Sequence, residues 1–107
     1  MKKVYVLKKS KRKGKRFVLA MPDEKHQHHF GSDIGITYVD GRTDSEKRAW
    51  IARHRQNKNY NNPHSGIYWA RHLLWNKESL KQSIKNMEKK LNIKIVYEPG
   101  GNTQDQK

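Results

Sequence analysis

Residues 65 to 84, SGIYWARHLLWNKESLKQSI, concentrate two tryptophans, a tyrosine and three leucines in a chain that is otherwise mostly lysine and polar. Any core has to be organised around this stretch. Residues 66 to 75 place apolar side chains around most of a helical circumference, which predicts a short buried helix. Ile67, Trp69, Ala70, Leu73 and Leu74 are its expected core contacts, packing against Trp50 and a second apolar stripe. That stripe, Leu80, Ile84, Met87 and Leu91, has helical spacing over 77 to 91, with Asn76 as the expected N-cap. A different use of the cluster leaves Tyr68 or Trp75 exposed as a stacking or docking surface. Trp50, His54, Tyr68, Trp69 and Trp75 are the candidates for core or partner contact.

The cluster matters because apolar residues are scarce. Hydrophobic types make up 33% of the 107 residues and charged types 32%, close to the border with disorder. A chain of this size has one small core, and large aromatic side chains are the means to fill it.

Upstream the pattern changes from helical to alternating. KVYVLK (3–8), RFVLAM (16–21) and HQHHFG (26–31) read as strands, with a basic hairpin loop at 8–16 and a turn at Pro22–Lys25. GITYVDG (35–41) reads as a short strand or an ordered loop. Thr43 and Glu46 have capping-box spacing before a helix over 44–57. An Asn-rich loop follows, and IKIVYE (93–98) is a last strand able to join the sheet. The expected fold is α+β, a small antiparallel β-meander packed by three short helices. It forms a single domain over 1–98, with a disordered tail at 99–107.

The net charge is +14, and residues 1 to 31 hold ten Lys and Arg against two acids. Such an excess draws a protein to polyanions: nucleic acid, an anionic membrane surface or an acidic protein. Lys8, Lys9, Lys11, Arg12, Lys13, Lys15 and Arg16 are the candidate polyanion-binding residues, able to contact phosphates and release counterions without reading sequence. The plainer account is that they keep the chain soluble. No zinc-finger, recognition-helix or RNA-binding aromatic motif accompanies them. No apolar run approaches the roughly 20 residues needed to span a bilayer. The N-terminus lacks the apolar segment of a secretory signal, and the lack of cysteine fits a reducing compartment.

Six histidines raise the question of a metal. His26, His28 and His29 fall on one expected strand, and His54 and His72 on helices. No HExxH or CxxC spacing is present, so solvated edge-strand histidines are the simpler reading, with a pH-responsive contact as the other use. Asp33, Asp40, Asp44 and Glu46 are accounted for by a loop and a helix N-terminus. Neither catalytic residues, nor a metal, nor a cofactor is expected.

RAWIARHR followed by SGIYWARHLLWNKESLKQSIKNMEKKLNIKI resembles a family of short basic proteins from the nucleocytoplasmic large DNA viruses. The matching positions are Phe30-Gly31, Arg53-His54, Ser65, Gly66, Tyr68-Trp69, Leu74-Trp75-Asn76 and Ser79-Leu80, within about residues 15 to 95. The resemblance implies a non-enzymatic structural protein of the virion, made in the host cytoplasm or nucleus. It would be a minor capsid component or a basic protein packed with the genome, with capsid proteins, DNA or acidic surfaces as partners. A nucleic-acid-binding module acting by charge, independent of any particle, is the alternative.

Overall fold

The computed structural model describes residues 2–98; the tail expected at 99–107 lies outside them. Four strands form one sheet in the order β3-β2-β1-β4. β1 (Val4–Lys9), β2 (Lys15–Ala20) and β3 (His28–Ser32) are the antiparallel meander expected from the alternation. β4 (Lys94–Glu98) does join the sheet, but parallel to β1, so the sheet is mixed. One face of the pleat carries Leu7, Phe17, Leu19, Phe30 and Ile95, all buried.

Of three helices, α1 (Asp44–His54), α2 (Gly66–Trp69) and α3 (Leu80–Leu91), the last two pack on the sheet, while α1 reaches the core through Trp50, stacked on Trp75. α2 runs directly into a π-helical turn, Ala70–Leu74, closed by Trp75 N–H donating to the Ala70 carbonyl at 3.1 Å. The π turn packs against α3 and β3. Trp69, Leu73, Leu74 and Met87 are completely buried among the strand residues, and Tyr68 and Trp75 nearly so. Trp69 donates its indole N–H to the Pro63 carbonyl at 2.8 Å, so the core anchors the loop before α2.

Local chemistry sets the helix ends. Thr43 accepts from Glu46 N–H while the Glu46 carboxylate accepts from Thr43 N–H, completing the capping box of α1. α3 begins at Leu80, where its apolar stripe begins, and not at the expected residue 77. Ser79, not Asn76, is its N-cap, and accepts from Gln82 N–H at 3.1 Å. Asn76 instead donates to the His72 carbonyl and to Asn86, closing off the π turn. The 35–41 segment is an ordered loop with a 3-10 turn at Tyr38–Asp40. Gly66 lets α2 approach β3: a Cβ there would stand 2.7 Å from the His29 carbonyl oxygen.

No helix among the described residues is long and apolar enough to cross a membrane.

Candidate functional site

The basic residues of 8–16 lie on the end of β1, the start of β2 and the connection between them. The connection turns tightly. Lys15 N–H donates to the Arg12 carbonyl at 3.1 Å, and Gly14 has φ +83°, where a glycine is the least strained residue. Gly14 N–H also donates to the Asp33 carboxylate at 3.2 Å, which ties the tip to the chain just past β3. Ser10 bridges the hairpin to β3 through a 2.7 Å hydrogen bond with His29 Nδ1. The hairpin is therefore held at its base, side and tip.

Its cations divide into two groups. Arg16 is half-buried and grips Asp40 with two contacts, at 2.5 and 2.8 Å. This bidentate pairing, helped by Thr37 donating its N–H and hydroxyl, lowers the Asp40 carboxyl to about 2. Arg16 thus serves the fold. Lys8 faces Glu98 at 3.7 Å, with both side chains about half exposed, a weak solvent-screened pair. Lys9, Lys11, Arg12, Lys13 and Lys15 are exposed, and none has a carboxylate within ion-pairing distance among the described residues.

A depression of about 220 Å³ beside the hairpin is lined by Lys8, Lys9, Lys11, Val18, Gln27 and His29. Lys8 shares the outer face of the sheet with Val18 and His29, so a cation borders this depression, which suits an anionic oxygen. The local field is positive. His29 is pushed down, first by burial and then by Arg12 and Lys15, which favours a neutral ring beside the lysines.

The aromatic candidates lie elsewhere and do different work. Tyr68, Trp69 and Trp75 are core residues, none more than 8% exposed. Trp50 and His54 are half-buried on α1. The Trp50 ring stacks on His54 with centroids 4.1 Å apart and on Trp75 at 5.2 Å. This stack forms one wall of a groove of about 500 Å³ that also includes Ile36, Gly31, Gly66 and Lys15. With Trp50 stacked between His54 and Trp75 and the other tryptophans buried, charge is better placed than base stacking to meet a polyanion. Val4, Ile34 and Ile36 are the exposed large apolar residues among those described, too few for an extensive apolar patch.

The histidines are not an evenly solvated row. His26 precedes β3 and is exposed, whereas His28 and His29 are half-buried on it. His28 bonds to Glu24 at 3.0 Å. His72 sits in the π turn against Tyr68. Sequence reasoning passed over Asp40 as the partner of Arg16 and over Glu24 and His64 altogether. The i,i+4 spacing of Glu24 and His28 is a local signal; the approach of His64, 40 residues on, has none.

Residues 5–54, from β1 through α1, match a family of unknown function, DUF5754. No curated protein and no solved structure matches the chain.

Proposed function

We propose that the protein is a non-enzymatic basic protein that presents the β1–β2 hairpin to a polyanion, and that this polyanion is DNA. In the setting implied by the viral resemblance, it is a structural component of a large DNA virus particle on the genome-facing side. One observation carries the reading: Lys9, Lys11, Arg12, Lys13 and Lys15 project from a braced hairpin without carboxylate partners among the described residues. Mobile lysines kept only for solubility need no such bracing. The cations follow a ribbon and surround no base-sized groove, so recognition is of phosphates and is independent of sequence.

The test is fluorescence anisotropy with a labelled duplex of about 30 base pairs over a salt series. Binding is expected to weaken steeply with salt. Replacing those five residues by Ser should flatten the slope of log K against log salt by up to about 4.5, since each lost phosphate contact removes about 0.9. An unchanged slope would refute the hairpin as the contact. Weak binding of the native chain at physiological salt would move the partner to an acidic face of a capsid protein.

A further inference from the structure

We propose that Glu24, His28 and His64 form a binding site for one divalent transition-metal ion of the zinc class, stapling the Asn-rich loop before α2 to the end of the sheet. The site is independent of the basic hairpin and of the function proposed for it.

Two different parts of the fold build it. The β2–β3 connection supplies Glu24 and the start of β3 supplies His28, with Glu24 Oε2 and His28 Nε2 3.0 Å apart. His64, from the loop leading into α2, directs Nδ1 at the other Glu24 oxygen. One ligand atom from each of the three lies within 4.8 Å of the other two. A tetrahedral zinc ion with bonds near 2.0–2.1 Å holds its ligand atoms about 3.3 Å apart. The present separations, up to 4.8 Å, would have to close by side-chain rotation for the ion to bind.

The donor set points to the class of ion. Two imidazoles and one carboxylate suit a borderline cation such as Zn²⁺, whereas Mg²⁺ and Ca²⁺ prefer shells composed of oxygen. With no cysteine in the chain, histidine and carboxylate are the ligands available for a zinc site. The Glu24 and His28 side chains are 20% and 14% exposed and His64 is 59% exposed, giving two inner ligands and one outer. The flanking pocket, about 500 Å³ and bordered by Tyr5, Met21, Pro63 and Leu91, provides access for the ion and for water as a fourth ligand.

The mechanical consequence follows from position. His64 adjoins Pro63, whose carbonyl holds the Trp69 indole, so a metal there fixes the loop at the point where it meets the core. It also closes a 40-residue separation in a chain without disulfides, where a cross-link restricts the unfolded state most. The same three side chains also compose a plain hydrogen-bonded clasp, and the experiment separates the two.

The full chain, stripped with EDTA and exchanged into chelator-free buffer near neutral pH, is titrated with Zn²⁺, Co²⁺ or Mg²⁺. One equivalent of Zn²⁺ should bind and raise the melting temperature by at least about 5 °C. Co²⁺ should develop the visible absorption of a low-symmetry four-coordinate site, and Mg²⁺ should do nothing. His64→Ala, at an exposed loop position that leaves the core intact, should abolish both responses, and His28→Gln should do the same. His26→Ala, beside the trio but outside it, should leave them unchanged. A melting temperature unmoved by Zn²⁺, or a zinc response that survives His64→Ala, overturns the proposal in favour of the clasp or of adventitious binding at surface histidines.

Discussion

His72 is the residue whose surroundings most alter its chemistry. Its ring lies against Tyr68, with centroids 4.4 Å apart, and burial first, then Lys90 and Arg71, lower its pKa to about 4. Between its ordinary value of 6.5 and that figure, the unfolded chain binds a proton that the folded chain does not. The contribution is therefore fully present above pH 6.5 and is lost as the pH falls towards 4. Urea unfolding followed from about pH 7 to about pH 4 should show this decline, and His72→Gln should flatten it. Arg71 and Tyr68 adjoin His72 in sequence, but its burial in the fold and the approach of Lys90 from α3 are not legible there. The Arg16–Asp40 pair is hidden in the same way. The Thr43–Glu46 box was legible, since both partners lie within one turn.

Elements owe their placement to a few close approaches. At Gly66 an added Cβ meets backbone, the His29 carbonyl oxygen at 2.7 Å, and neither β3 nor α2 can move away cheaply. Gly66→Ala is expected to destabilise the fold by about 1–3 kcal/mol in urea unfolding. Gly14→Ala should cost less, about 1 kcal/mol, because its Cβ would enter open space and only the left-handed backbone is strained. The three meander strands were readable from alternation, and the buried α2 segment from its ring of apolar residues. The sense of β4 was not, because alternation is the same in a parallel and an antiparallel neighbour. The start of α3 was misplaced because Asn76 and Ser79 are both good caps, and only the side-chain contacts of Asn76 with His72 and Asn86 decide between them.

For the molecule as a whole, charge opposes compaction. A net +14 within a radius of gyration of 13.6 Å repels itself, and most of it has no carboxylate partner among the described residues. Raising sodium chloride from about 0.1 to about 1 M shortens the screening length from about 10 to about 3 Å. The thermal midpoint should therefore rise with salt, while the DNA binding proposed for the hairpin should weaken. Opposite responses in one pair of titrations would separate folding electrostatics from binding electrostatics. The α+β class followed from the change of period along the chain, and the basic hairpin from composition alone. Which of its cations remain available for a partner was settled by contacts with Asp40 and Glu98, distant in sequence.

The parallel pairing of β1 with β4 sets the timetable of synthesis. Lys8 and Glu98 lie side by side in the finished sheet, yet a ribosome adding about 5–20 residues per second makes one roughly 5–20 s after the other. Until then β1 has an open edge, and its backbone donors and acceptors are free to pair with another nascent chain. The strongly cationic segment that emerges with it would oppose such pairing by mutual repulsion.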